Sequence, residues 1–309
     1  MSTTTDFVPN KCIGMVGLGL VGTALAKRLK AAGFDCVGFD VRPEAMRAFE
    51  TANFQTTSSV SSLLAQTNTM VLAVFDTAGV LDVVNQILQQ RRELGPSQPT
   101  TLTLIDCSTG DPVKLAELAQ QLVLNNVHFI EAPLSGSSVQ IENGEATLLL
   151  GGDAQHIDSV SRVLNGLANF KVHVGGAGMA AKAKLATNLV LGLNRAALAE
   201  GMVFAQTLGI QPATFLQLVL NTPARSEAAV VKGEMMVNAQ FAPQSRIRQH
   251  LKDVQLMLDM AQSHSQNLPL STAHAQLMRN AIAQGDGELD NAAIIQQIRR
   301  EKTDPHSKT

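Results

Sequence analysis

Tryptophan and tyrosine are absent from this chain of 309 residues, and aromatics make up only 4% of it. Stacking nucleic-acid bases on aromatic platforms therefore has little to work with. Charge is scarce as well: 24 Lys and Arg stand against 26 Asp and Glu, a formal net charge of −2. A balance of that kind sets up no field that draws polyanions or anionic lipid. Long apolar runs are missing, since none reaches the roughly 18 residues that a membrane span needs. Neither nucleic acid nor a membrane is expected as a partner. Cysteine is nearly missing too. Cys12, Cys36 and Cys107 are odd in number and lack metal-type spacing, so no metal is expected and a reducing cytoplasm is the simplest setting. The first ten residues, MSTTTDFVPN, lack an apolar signal core and arginine, and read as a loose tail.

What is present is 45% hydrophobic and 16% charged residues, the balance of a soluble globular protein with one or two domains. Strand and helix signals alternate up to about residue 174. Beyond it the apolar residues keep helical spacing to the end, with breaks at Pro212, Pro223, Pro243 and Pro269. The expected fold class is α/β: an N-terminal Rossmann-type doubly wound sheet over 1–174, a long interdomain helix, and an all-α C-terminal domain over 175–309.

The sharpest local signal lies near the start. Residues 12–18, CIGMVGL, read as a buried parallel strand. Gly17-Leu18-Gly19-Leu20-Val21-Gly22 follows, and then a helix that stops at Gly33. Residues 35–40, DCVGFD, form the next strand and end on Asp40. GxGxxG alone is weak. Placed between strand and helix, with an acidic residue closing the next strand, it is the fingerprint of a dinucleotide site. Gly17 permits the tight turn, Gly19 lets backbone approach a pyrophosphate, and Gly22 lets helix pack on strand. The helix N-terminus offers its N–H groups to the phosphates. Asp40, followed by Val41, would accept the ribose hydroxyls and favour NAD. Arg42 leaves NADP open.

Later strands are expected over 69–75, 101–106, 127–132 and 147–152, with a short one over 170–174. Helices fill about 78–90 and the stretch after Asp111-Pro112, and residues 91–100 read as a polar loop. Ligands of doubly wound sheets bind beyond the carboxyl ends of strands. The segments 75–77, 107–109 and 133–138 should therefore face one crevice with 17–22.

The longest helical stretch runs from Met179 to Leu208, roughly 45 Å at about 1.5 Å per residue. Lys184 and Asn188 share one of its faces. Lys182 lies about 200° round the helix from Lys184 and reads as solvated. Met235, Met236, Met257 and Met260 read as core fillers, and Cys107 as packing.

These pieces together resemble the 3-hydroxyacid dehydrogenase family. They are the glycine turn, Asp106-Cys107-Ser108-Thr109, Ala132-Pro133-Leu134-Ser135-Gly136, Lys184-Leu185-Ala186-Thr187-Asn188 and Leu251-Lys252-Asp253. The resemblance covers nearly the whole chain in order. It implies NAD(P)-dependent oxidation of a small hydroxyacid without metal, in homodimers or homotetramers. Lys184 matches the family's catalytic lysine and Asn188 its partner amide. Ser135 and Gly136 match the loop that holds the substrate carboxylate. Phe75, Asp76 and Thr109 fall at cofactor contacts, and Lys252 matches a lysine beside the nicotinamide. Arg225 resembles a substrate-side arginine of some members. Ser137 departs from the usual second glycine and is expected to offer one more hydroxyl or amide to substrate. Phe75-Asp76 stands where Leu-Pro is common, and Ala180 where glycine is frequent. A lysine lowered in pKa by burial and by nearby positive charge can serve as acid and base. Imine reduction on the same architecture, and a non-catalytic NAD(P)-binding sensor, are the alternatives. Lys184 argues against imine reduction, and intact Lys184, Asn188 and Ser135 argue against the sensor.

Overall fold

The computed structural model describes residues 11–94 and 101–301. The tail expected over the first ten residues, the loop segment 95–100 and residues 302–309 lie outside the described residues. The chain divides into two compact units, the first ending at Lys184 and the second beginning at Leu185. The division falls inside the long helix, not at its start.

In the first unit, strands β1 (Cys12–Val16), β2 (Asp35–Phe39), β3 (Gln55–Thr56), β4 (Thr69–Leu72), β5 (Leu102–Asp106) and β6 (Val127–Glu131) are parallel. They stand in the order β3-β2-β1-β4-β5-β6. The sheet continues through β8 (Thr147–Gly151), which runs antiparallel to β6 and to the two-residue β7 (Leu134–Ser135). A last strand, β9 (Phe170–Gly175), pairs parallel to β8. The connecting helices are α1 (Leu20–Ala31), α2 (Pro43–Thr51), α3 (Val60–Leu64), α4 (Thr77–Leu94), α5 (Pro112–Val123), α6 (Ser138–Asn143), α7 (Ala154–Ser159) and α8 (Ser161–Leu167). The order turns round at β1, which has β2 on one side and β4 on the other. In open α/β sheets that switch point is where ligands bind.

Side chains alternate across the strands and make two cores. Ile13, Met15, Ile105 and Ile130 face one way, against Leu25 and Leu29 of α1. Val16, Leu102, Leu104 and Phe129 face the other, against Leu63 of α3, Ile87 of α4 and Leu118 of α5. Leu25 and Leu29 are fully buried, each stabilising the fold by roughly 1.5–3 kcal/mol.

Several elements differ from the sequence reading. β1 ends at Val16 because Gly17 turns the chain with φ +89°. β4 ends at Leu72, before the expected Phe75: the Ala73 amide still bonds Val16, but the Val74 amide donates to the Ser108 hydroxyl instead of a strand. Arg91 to Leu94, expected in a loop, are helical. QQRREL is a run of good helix formers, and α4 continues through it. The short elements β3, α3, β7, α6, α7 and α8 carry too few residues to show a period.

Helix α9 (Met179–Thr207) is continuous across the division. The second unit goes on with α10 (Pro212–Leu220), α11 (Glu227–Asn238), α12 (Ile247–Ser263), α13 (Pro269–Ala283) and α14 (Ile294–Arg300). Their core is Leu198, Met202, Leu216, Met236, Val254, Met257, Met278 and Ile295, with Met235 and Met260 packed against it. Asp290, wholly buried, accepts from the Lys232 ammonium at 2.9 Å and from the amides of Gln244, Ser245 and Ala292.

Candidate active site

The turn after β1 shows why three glycines stand there. A Cβ on Gly17 would lie 2.4 Å from the Ala73 carbonyl oxygen, and φ there is positive. A Cβ on Gly22 would lie 1.9 Å from the Gly17 oxygen, so α1 packs on the turn at backbone distance. Gly19 differs: the nearest atom to its Cβ position is Arg42 Nη2 at 3.7 Å, and its role is to leave open approach. It is also the N-cap of α1 and offers no side chain to the helix amides. An amide-lined, side-chain-free helix start suits a pyrophosphate.

Asp40 is buried and fully engaged. The Leu18 amide donates to Oδ2 at 2.8 Å and the Arg42 amide to Oδ1 at 2.9 Å. Arg42 then closes over the carboxylate side-on, with Nε 3.1 Å from Oδ1 and Nη2 3.1 Å from Oδ2. Burial alone would raise the Asp40 carboxyl, but the Arg42 and Leu18 hydrogen bonds outweigh it and hold it below the usual range. Val41 is exposed beside it. Leu20 and Val21 are partly buried at the start of α1.

The loops beyond β4 and β5 are tied together. Ser108 accepts the Val74 amide at 3.1 Å, and the Thr77 hydroxyl accepts the Asp111 amide at 2.8 Å. Phe75 projects half-exposed between them, and Thr109 is partly buried. Asp76 accepts the Gly79 amide at 2.9 Å and thereby caps α4. Cys107 is buried, and burial pushes its thiol well above the ordinary range, with Asp106 adding to the effect. A protonated thiol of that kind packs and does not attack.

Beyond β6, Ser135 is partly buried in β7. Gly136 has φ +156°, and a Cβ there would stand 2.8 Å from that of Ala146. Ser137 is buried at the start of α6. Its hydroxyl accepts the Gln140 amide and its own amide donates to Gln140 Oε1 at 2.9 Å, a reciprocal cap on α6. That pairing needs a Glu or Gln three residues on, a local signal legible in Ser137-Ser138-Val139-Gln140.

Lys184 closes the first unit. It is 7% exposed, whereas Lys182, two residues earlier, is exposed to solvent. Glu131, which the sequence reading passed over, is 1% exposed and accepts amides at the start of α9. Burial raises its carboxyl above the usual range, Asp106 adds to that, and the amides of Ala181, Gly178 and Ala180 oppose it.

In the second unit, the buried Asn188 donates to Asp253 Oδ2 at 3.3 Å. Lys252 lies 3.0 Å from Asp253 Oδ1 and remains partly exposed. Amide, carboxylate and ammonium thus form one cluster between α9 and α12. His250 is buried too, its Nε2 2.4 Å from where a Cβ on Gly192 would be, with its ring 5.3 Å from that of His274. It fills the gap left by Gly192. Arg225 is exposed in the turn between α10 and α11, and Glu200 is exposed on α9. Among the described residues no group of three or more His, Cys, Asp or Glu is placed to hold a metal ion.

Comparison with known proteins agrees with this geometry. Residues 12–176 match the NAD binding domain of 6-phosphogluconate dehydrogenase, and residues 176–298 match the NAD-binding family of NADP-dependent 3-hydroxyisobutyrate dehydrogenase. The chain belongs to the 3-hydroxyacid dehydrogenase family. A 2-hydroxy-3-oxopropionate reductase of Escherichia coli is 26% identical over 93% of this chain and 96% of its own length. An L-threonate dehydrogenase of Cupriavidus necator is 28% identical over 92% of this chain and 94% of its own. A crystal structure of a 3-hydroxyisobutyrate dehydrogenase from Salmonella typhimurium shares the fold, with a TM-score of 0.82 and 24% identity over 92% of this chain and 99% of that one.

This member of the 3-hydroxyacid dehydrogenase family is an NAD(P)-dependent hydroxyacid dehydrogenase or reductase. The turn at 17–22 fits the dinucleotide: Gly17 and Gly22 have no room for a side chain, and Gly19 leaves the approach open. The nicotinamide supplies the hydride exchange, and the protein's part is to hold, orient and move a proton.

Proposed function

We propose that the protein interconverts a small 3-hydroxyacid and its semialdehyde, with Lys184 as general acid/base and NAD favoured over NADP. The observation that carries this is the contrast on α9 between the buried Lys184 and the exposed Lys182. A lysine is rarely buried unless it is paired, so the fold holds the Lys184 amine in a set place rather than leaving it to solvent. In oxidation, the Lys184 amine would take the proton of the substrate hydroxyl, and a bound nicotinamide would supply the hydride acceptor. In reduction, the Lys184 ammonium returns the proton to the carbonyl oxygen. Asn188, held by Asp253, would hydrogen-bond the lysine or the substrate oxygen without titrating. Ser135 and Gly136 would bind the substrate carboxylate and set its distance from the reacting carbon, a large part of such catalysis. Phe75, Asp76, Thr109 and Lys252 would flank the cofactor. Arg225 is the remaining candidate contact to substrate.

Residues 1–174 serve in this reading as the cofactor domain and 175–309 as the substrate and oligomerisation domain. Val190 and Phe204 on α9, and Leu208 just past its end, are exposed at 57%, 63% and 63%. Their spacing supports homodimers or homotetramers, which light scattering of the purified protein would count.

The test is to offer NAD+ or NADP+ with 3-hydroxyisobutyrate, glycerate, threonate or 4-hydroxybutyrate and follow reduced-nicotinamide absorbance. Lys184→Ala is expected to abolish turnover and leave cofactor affinity nearly intact. Equal loss of both would make the lysine structural.

A further inference from the structure

The first turn of α9, which leads into Lys184, has no cap of its own. Gly176, Ala177 and Gly178 precede it, and no acidic residue lies within it. Its amides go to a carboxylate from elsewhere in the chain. The Gly178 amide donates to Glu131 Oε1, the Ala181 amide to Oε2 at 3.0 Å, and the Ala180 amide joins them. An anion there also meets the positive end of the helix dipole.

A local Ser or Asp would satisfy the same amides, but it would tie the helix end only to itself. Glu131 lies 47 to 50 residues earlier in the chain. It is the last residue of β6, in register with Asp106 of β5 and Gly151 of β8. Its carboxylate therefore fixes α9 to the sheet. Gly151 makes the joint close: a Cβ there would stand 2.9 Å from Glu131 Oε2 and 3.0 Å from the Ala180 nitrogen. On its other side, Glu131 continues through Ala132, Pro133 and Leu134 into Ser135 and Gly136. Lys184 follows Ala181 by one turn. One residue thus anchors two pieces: the loop that follows it in the chain, and the helix turn that its carboxylate holds.

We propose that Glu131 is a positioning residue that sets the separation between the Lys184 amine and the Ser135-Gly136 loop. The inference rests on the roles proposed above for Lys184 and Ser135. Substrate carboxylate and substrate hydroxyl sit a fixed distance apart, so an amine displaced by about 1 Å from its place meets the hydroxyl poorly. A misplacement of that size costs up to about 100-fold in rate.

The experiment compares the wild type, Lys184→Ala, Glu131→Gln and Gly151→Ala on one hydroxyacid substrate. Glu131→Gln keeps the shape but turns an NH2 group toward amides that need an acceptor. Gly151→Ala keeps the carboxylate and wedges the joint open. Both are expected to lower kcat roughly 10- to 100-fold, with KM and cofactor Kd within about threefold of the wild type. A role in folding alone would lower the thermal midpoint and leave kcat per folded molecule unchanged, and that result overturns the inference. Should Glu131→Gln fail to fold, Gly151→Ala carries the same comparison. An inactive Lys184→Ala beside fully active joint variants sinks the positioning role only. Absence of turnover in the wild type sinks the reading of Lys184 and this inference together.

Discussion

Arg42→Ala separates two jobs that the structure assigns to neighbouring residues. The Arg42 side chain is 53% exposed and makes two of the four hydrogen bonds to Asp40. An exposed pair of this kind stabilises the fold by only about 0.2–1 kcal/mol after solvent screening. The Leu18 amide and the backbone amide of residue 42 still hold the carboxylate at 2.8 and 2.9 Å, so Asp40 keeps its orientation in the variant. What changes is the charge facing the ribose. With Arg42 present, a 2′-phosphate meets a guanidinium close to Gly19. Without it, the phosphate meets a bare carboxylate. A hydrogen bond to a charged group contributes about 1.5–3 kcal/mol, so NADP affinity is expected to fall roughly 10- to 150-fold. NAD affinity should hold or improve, because the Asp40 oxygens are freed for the ribose hydroxyls. Titrating NADH and NADPH by the change in nicotinamide fluorescence reads both affinities. Unchanged NADPH binding with weakened NADH binding would refute the reasoning and reduce Arg42 to a brace for Asp40. The companion Asp40→Ala should erode NAD preference, and a wild type that already prefers NADP would overturn that reading of Asp40.

Three further outcomes test the glycine turn and the interior of the second unit. Gly22→Ala puts a Cβ 1.9 Å from the Gly17 oxygen, so α1 must move off the turn; cofactor affinity and thermal midpoint should both drop, and binding left intact would show that the turn yields more readily than it looks. Asp290→Ala removes the carboxylate that the buried Lys232 ammonium faces at 2.9 Å, with an expected cost of about 3–5 kcal/mol in denaturant unfolding. A loss under about 1 kcal/mol would mean that Gln244, 3.1 Å from the same ammonium, takes over. His274 is held neutral by burial first and by Arg195 second, its folded pKa lowered from 6.5 to about 4. The unfolded chain therefore binds the extra proton first, and stability is full above pH 6.5 and lost as pH falls toward 4. Linkage over that window amounts to about 3 kcal/mol. His274→Gln should flatten this part of the urea-midpoint curve, and an unaltered slope would assign the acid sensitivity to other groups.

The sequence alone determined what depends on neighbours a few residues apart. Strand and helix periods, the glycine turn and the acid at the end of β2 are all local, and each residue type there follows from backbone geometry. The split between Lys182 and Lys184 is local too, because two residues on a helix point to nearly opposite faces. The chain also kept the family's motifs in order, which made its chemistry legible before any distance was known. Tertiary structure decided how the charges are used. Arg42 could have turned to solvent, and only the fold shows it closed over Asp40. Ser137 stands in a motif that points to a ligand, and only the fold shows its hydroxyl and amide also capping α6. The pairing of Asn188 with Asp253 joins residues 65 apart, and Lys232 with Asp290 spans 58. Glu131 carried no signal, since a glutamate ending a strand looks like any other. Its meaning lies in amides 47 to 50 residues later, and no period or spacing encodes a contact of that length.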